Sequence, residues 1–251
     1  YVVALSNPLS DGTFLGNRII ATDEDDDDED DLGRKVKFYG TISAISGDEF
    51  SVGEQSFIVD GNTEFKVKGC DEPFDPSLLA EGMSVKVLAV EDGSGGYIAA
   101  YVTVQLPVFK FTGPLDAYSD TALSMLGVDM VVTEYTEYED VDPGDLGVGS
   151  YVEVKAVLWP DDSLIACEIE AEDEDDDEEF EAKGIISEKT VDGDNVLITV
   201  GGLTIVVEPG TDIRSKNSTL TVDDLAIGVE VQVSGYINGG GDYIANHIKI
   251  R

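Results

Sequence analysis

The sequence predicts an all-β protein of three small β-barrels in tandem, preceded by an extended N-terminal strand. Three observations carry this prediction: short runs of alternating apolar and polar residues, clusters of Gly, Asp and Asn between those runs, and a pattern that occurs three times. Alternation with a period of two is typical of half-buried strands, and Gly, Asp and Asn favour tight turns. Because five or six short strands cannot bury a flat sheet, we expect each repeat to close into a barrel.

Three sequence anchors define the repeat. The first is a Gly within an apolar strand, the second a Gly between a Leu-containing loop and an alternating strand, and the third the Ala of an Ile-Ala pair. In chain order the anchors are Gly40, Gly113 and Gly184, then Gly82, Gly149 and Gly228, then Ala99, Ala166 and Ala245. The second and third anchors are 17 residues apart in every copy, a regularity that indicates true internal repeats.

The anchors divide the chain into a leading segment, three repeats and a linker. Helix is expected only as short turns near residues 76–79 and 222–225. The predicted boundaries are 1–34 for the N-terminal strand and an acidic linker, 35–108 for repeat 1, 109–171 for repeat 2, 172–181 for a second acidic linker and 182–251 for repeat 3.

The repeated pattern resembles that of a known bacterial family. It runs apolar-x-Gly-x-Ile, then Leu-x-x-Gly-x-x-Val-x-Val, then a hairpin into Ile-Ala-x-x-Ile. This is similar to domain of unknown function 5666, a family of small OB-like barrels found, often in tandem, in exported proteins. The resemblance covers about residues 35–251, and the second copy departs from it with Pro114 directly after its Gly. It implies OB-like barrels and export, and it supplies no catalytic motif.

The charge of the chain excludes several classes of partner. With 15 Lys and Arg against 53 Asp and Glu, the net charge is -38. Such a chain repels phosphate backbones and anionic lipid surfaces, so we expect no nucleic-acid partner. No apolar run approaches the roughly 18 residues that span a bilayer, so no membrane insertion is expected. One His and two Cys argue against zinc, haem and iron–sulfur sites.

Two acidic runs precede repeats 1 and 3. Asp23–Asp31 and Glu172–Glu179 consist entirely of carboxylates. One interpretation is that they are solvated linkers, since like charges repel and keep a chain extended. The other is capture of calcium, which prefers hard oxygen ligands in flexible geometry. The candidate ligands in the second interpretation are Asp25, Asp27, Asp173 and Asp175.

The N-terminal segment belongs to no repeat. Its first residues, Tyr1, Val2, Val3, Ala4 and Leu5, form an uncharged, β-prone strand. A free strand of this kind promotes aggregation, so we expect it to pair. It would pair either with the edge of a barrel of its own chain or with the barrel of a neighbouring subunit, as in donor-strand assembly. Because the chain does not start with Met, we also expect export with a leader already removed, or else a start within a longer protein.

A few side chains are candidates for chemistry or binding. Cys70 and Cys167 are candidates for a disulfide, although Cys167 also fits as a small buried residue. Alternation along the last strand places His247 on the surface. The tyrosines of repeat 2 are candidates for a glycan-binding face: Tyr135, Tyr138 and Tyr151.

The functional expectation follows from these features together. We expect a non-enzymatic, exported structural protein that polymerises head to tail with copies of itself through the N-terminal strand. The alternative is a monomeric periplasmic or extracellular module that binds calcium or a glycan. An enzyme is the third hypothesis, because the sequence offers no nucleophile, base or carboxylate pair with catalytic spacing.

Overall fold

The structure is a computed structural model that describes residues 2–8, 14–21, 35–172, 179–215 and 218–251. Its secondary structure is almost entirely β-strand, which confirms the all-β prediction. Short 3₁₀ turns occur at Pro76–Leu78, Pro143–Asp145 and Val222–Asp224, at the corresponding place in each repeat. The sequence anticipated the first and last of these turns. The chain divides into two compact units, Tyr1–Lys35 and Val36–Arg251.

The first unit contains a two-stranded antiparallel sheet. Its strands are β1 (Val2–Pro8) and β2 (Phe14–Ala21), with an irregularity in register between Leu5 and Ser6. The N-terminal strand therefore pairs with the segment that follows it. This pairing is neither of the two that the sequence suggested.

The second unit contains the three repeats, and their strands are listed here in chain order. Repeat 1 has β3 (Lys35–Ser46), β4 (Glu49–Val52), β5 (Gln55–Ile58), β6 (Glu64–Val67), β7 (Cys70–Pro73), β8 (Ser84–Glu91) and β9 (Tyr97–Gln105). Repeat 2 has β10 (Val108–Ser119), β11 (Ala122–Met125), β12 (Val128–Val131), β13 (Glu137–Glu139), β14 (Tyr151–Leu158) and β15 (Leu164–Ala171). Repeat 3 has β16 (Phe180–Asp192), β17 (Asn195–Val200), β18 (Leu203–Val207), β19 (Asp212–Ser215), β20 (Ser218–Thr219), β21 (Glu230–Ile237) and β22 (Tyr243–Ile250).

Five strands in each repeat pair in the same order. In repeat 1, β3 pairs with β4, β4 with β5, β5 runs parallel to β9, β9 pairs with β8, and β8 returns to β3. Repeats 2 and 3 follow the same path, so each repeat is a closed ring of strands. Tandem β-repeats are thereby confirmed. The OB-like character of each ring stays a prediction.

Backbone hydrogen bonds explain why the second anchor recurs. The amide of Gly82 donates to the carbonyl of Ile42 at 2.9 Å, and the amide of Ile42 donates to Met83 at 2.8 Å. The corresponding residues of repeats 2 and 3 form the same pair of bonds, from Gly149 to Leu115 and from Gly228 to Ile186. The three glycines have φ of +94°, +85° and +87°, a region that side chains disfavour. In repeat 1 the loop before β8 is thus hydrogen-bonded to β3, and the other two repeats have the same connection.

The third anchor has a partner that the sequence analysis missed. Thr63 Oγ1 donates to the carbonyl of Ala99 at 2.7 Å, and Thr136 Oγ1 donates to Ala166 at 2.7 Å. In repeat 3, Thr211 Oγ1 donates to Ala245 at 3.1 Å. In repeat 1 the threonine therefore connects the loop after β5 to β9, and it satisfies a backbone acceptor there. The other two repeats have the same connection.

Repeats 2 and 3 share one sheet and one core. Their first strands, β10 and β16, pair antiparallel, with Phe111 opposite Ala182 and both fully buried. These two residues occupy the same position in their repeats, two residues before the first-anchor Gly. The pairing is therefore symmetric, like a two-fold interface between two copies of one domain.

Repeat 1 joins repeat 2 through strand β15, which is buried on both faces. Leu164 and Ala166 pack in the core of repeats 2 and 3, whereas Ile165 and Cys167 pack in the core of repeat 1. A disulfide links Cys167 to Cys70 across this junction. The indole of Trp159 lies 5.4 Å from the ring of Phe74 between ring centroids, which covers the same junction.

Candidate functional site

Most candidate residues from the sequence fall into three groups in the structure. Tyr1 and the candidate calcium ligands Asp25, Asp27, Asp173 and Asp175 lie outside the described residues. The interface residues Val2, Val3, Ala4 and Leu5 lie in β1, paired with β2. His247 is exposed, as alternation predicted, and its Nδ1 lies 3.3 Å from Asp212 Oδ2.

An extended polar surface covers one face of the sheet that repeats 2 and 3 share. Strand register places two rows of side chains across eight strands, from β13 at one end to β19 at the other. The acidic row comprises Glu139, Glu170, Glu153, Thr112, Glu181, Ser234, His247 and Asp212. The basic row comprises Glu137, Glu168, Lys155, Lys110, Lys183, Gln232, Lys249 and Arg214.

The basic row concentrates positive charge in a very acidic protein. It holds five of the 15 Lys and Arg residues of the chain. Several are paired with the neighbouring carboxylates: Lys110 with Glu153, and Lys155 with Glu168 at 2.9 Å. Opposite charges across adjacent strands stabilise a sheet modestly, so these pairs add to the stability of the shared sheet.

A shallow depression of about 540 Å³ lies at the repeat 3 end of this face. One of its lining residues is Asp212, which accepts a hydrogen bond from Arg214 and contacts His247. The hydrogen bond from Arg214 is the main cause that lowers the pKa of the Asp212 carboxyl, and His247 lowers it further. The depression thus presents an ionised carboxylate, an imidazole and a guanidinium side by side.

The opposite end of the face gathers carboxylates. Oxygens of Glu137, Glu139 and Glu168 all lie within 4.8 Å of one another, which is close enough for one cation to contact all three. Glu170 lies opposite Glu139 on the neighbouring strand. Burial is the main cause that raises the pKa of Glu170, and the charges of Glu172, Glu139, Glu153 and Glu168 raise it further.

We predict that Glu170→Gln stabilises the protein at neutral pH. Because the folded pKa is raised, the ionised carboxylate disfavours folding at every pH above that pKa, and Gln removes the charge. The gain disappears as the pH falls below the ordinary value of 4.5, where the carboxyl is protonated in both states. Urea unfolding of both proteins between neutral and acidic pH measures it. Glu54→Gln, which removes one carboxylate from an exposed turn of repeat 1, is the matched control.

The candidate glycan-binding tyrosines are not equivalent in the structure. Tyr135 is exposed, whereas Tyr138 packs partly against the shared core and its hydroxyl lies 2.9 Å from that of Tyr118. Burial is the main cause that raises the pKa of Tyr138, and the bond to Tyr118 adds to it. Tyr151 is half-buried at the start of β14. Tyr138 therefore has a packing role in addition to any binding.

Comparison with known families supplies one clear match. The model of the family described as Domain of unknown function (DUF5666) matches residues 39–103, 112–170 and 183–249, well over half of the chain. The three matched segments correspond to the three repeats. No curated protein matches the sequence.

Comparison with solved structures gives two matches of low similarity. A chain described as Drosophila Unr CSD456 has 12% identity and a TM-score of 0.27, covering 87% of this chain and 97% of that one. A multidomain protein with nucleic acid binding domains from Streptococcus pneumoniae has 10% identity and a TM-score of 0.18, covering 87% of this chain and 73% of that one.

In the part of the chain that the structure describes, no helix has the length and apolarity to cross a membrane.

Proposed function

We propose a function for this chain from the premise that it belongs to the family described as Domain of unknown function (DUF5666). In this proposal the protein is an exported, non-enzymatic structural protein, the subunit of an extracellular filament or surface assembly. Subunits join head to tail when the N-terminal strand of one chain pairs with its neighbour. Because such a contact does not close on itself, repetition gives an open polymer.

The sheet formed by β1 and β2 is the observation that carries the proposal. A two-stranded hairpin alone is marginally stable in water, and each of its strands has an outer edge that the sheet itself leaves unpaired. Val2–Pro8 contains no charged residue, and its one proline stands at the last position, so the edge before Pro8 lacks the charges that usually keep another strand away. Strand donation can then occur in two ways. The outer edge of β1 pairs with a strand of the neighbouring subunit while β1 stays paired with β2, or β1 separates from β2 and pairs with the neighbouring subunit instead.

The disulfide supports the exported location. Cys70 and Cys167 are both buried, and they join segments that are 97 residues apart. Structural disulfides persist in oxidising compartments outside the cytosol. A net charge of -38 would keep assembled fibres soluble and let multivalent cations bundle them.

Deletion of residues 1–21 is predicted to abolish assembly. The change removes both strands of the hairpin and leaves the three repeats, which form a compact unit from Val36 onward. Negative-stain electron microscopy should show regular fibres for the full chain and dispersed particles for the shortened one. Dispersed particles of 26.9 kDa for the full chain would contradict the proposal. So would fibres that survive the deletion.

A monomeric binding module for calcium is the second candidate, and the carboxylates of Glu137, Glu139 and Glu168 favour it. Calorimetric titration with calcium should show a saturable site under this alternative. Glu168→Gln should then weaken binding, while Glu188→Gln, on a different strand, should leave it unchanged. A glycan-binding module would instead respond to a change at Tyr135, which is exposed.

A further inference from the structure

Repeat 1 carries an open copy of the edge through which repeats 2 and 3 pair. That pairing uses residues one to three before the first-anchor Gly, which are 110–112 in β10 and 181–183 in β16. The corresponding residues of repeat 1 are Lys37, Phe38 and Tyr39, in β3. Among the described strands, β3 pairs only with β4 and β8, and neither occupies this edge in the other two repeats.

Burial differs between the used and the open edges. Phe111 and Ala182 are fully buried at the contact between repeats 2 and 3, whereas Phe38 is only half-buried at the same position. Tyr39 is 46% exposed, and Gly40 is exposed although Gly113 and Gly184 are buried. The edge of repeat 1 therefore has residues like those of the edge that repeats 2 and 3 use, but no described strand pairs with it there.

The turn beside the edge shows the same contrast. Gly201 of repeat 3 is buried beneath the phenylalanines of repeat 2, and a methyl group added there would lie 2.5 Å from Phe111 Cζ. Gly53 occupies the matching turn of repeat 1, with φ of +62° against +57° for Gly201. The same methyl group on Gly53 would meet no described atom within 4 Å. The turn at Gly53 thus has the backbone conformation of the turn at Gly201, and the space above it is open to a phenylalanine from another chain.

We propose that this edge binds repeat 1 of a second copy of the chain, so that two chains form a symmetric dimer. The register of the contact between repeats 2 and 3 would place Phe38 opposite Phe38 of the second copy and Lys37 opposite Tyr39. An aromatic pair and a cation beside an aromatic ring are favourable cross-strand neighbours. No two like charges face each other, even though each chain has a net charge of -38. The dimer goes beyond assembly through the hairpin and uses a different surface.

Cysteine cross-linking of full-length chains tests both the partner and the register. A chain with Lys37→Cys is mixed with a chain carrying Tyr39→Cys and oxidised with copper phenanthroline. The mixture should yield several-fold more disulfide-linked dimer than either variant alone, because directly opposite residues can form a disulfide. Identical positions would be diagonal, roughly 7–8 Å apart, which is too far. A mixture of Lys68→Cys and Val191→Cys chains, both exposed elsewhere, is the matched control and should not cross-link.

A charge variant gives a second reading that needs no cross-link. Lys37→Glu with Tyr39→Glu would place carboxylates opposite one another and should lower the association constant of the full chain at least tenfold, measured by sedimentation. Lys68→Glu with Val191→Glu makes the same change of charge and should have no effect. Equal cross-linking in mixed and single samples overturns the proposal, as does association that the charge variant leaves unchanged. Fibres without a 37–39 link would overturn the dimer alone, and the link without fibres would overturn only the hairpin proposal.

Discussion

Removal of the disulfide should cost the protein about 4 kcal/mol of unfolding free energy. Cys70→Ala with Cys167→Ala opens a loop of 97 residues, and a cross-link over a loop of about 100 residues stabilises by roughly 4.7 kcal/mol in the chain-entropy account. Alanine introduces no polar group without a hydrogen-bond partner. The two substitutions also remove packing contacts of the sulfur atoms at two buried sites. Urea unfolding with and without the bond measures the loss.

Reduction supplies the matched control for that prediction. A reductant that enters the junction should destabilise the wild-type chain by a similar amount and should leave the double-alanine chain unchanged. The loss should appear at the junction between repeats 1 and 2, where Trp159 and Phe74 are in contact. An unchanged free energy of unfolding in the variant would mean that packing alone holds the two repeats together.

The repeat anchors show how much of the fold the sequence could predict. Gly82 recurs because a turn with φ of +94° is fastened to the first strand at that place, so a local requirement appears directly as a spacing. The strand alternation and the 3₁₀ turns are local in the same sense. The pairing of β10 with β16 left no such mark, because it depends on which residues of two distant strands become opposite.

Cys167 shows why the candidate surfaces were harder to predict. The sequence indicated a small buried residue there, but the whole of residues 164–167 is buried, and Cys167 packs in the core of repeat 1. A strand between two cores reads as continuously apolar, and sequence alone does not say which core each residue enters. The two polar rows of the shared sheet were missed for the same reason, since their register joins strands from separate repeats.

Phe111→Ala should be the most damaging single truncation at the contact between repeats 2 and 3. The ring is fully buried, packs over Gly201 of repeat 3 and stands opposite Ala182 in the strand pair. Truncation of a buried phenylalanine typically costs about 3–5 kcal/mol, through lost burial and the cavity left behind. We expect a loss in this range in urea unfolding.

Phe38→Ala is the matched control, because Phe38 occupies the same position in repeat 1 at an edge that no described strand covers. In dilute solution its loss should be clearly smaller than that of Phe111→Ala, since Phe38 is half-buried and packs mainly on Phe57 and Tyr97. At concentrations where repeat 1 dimerises, the loss at Phe38 should grow towards that at Phe111. Equal losses at every concentration would contradict the distinction between a used and an open edge.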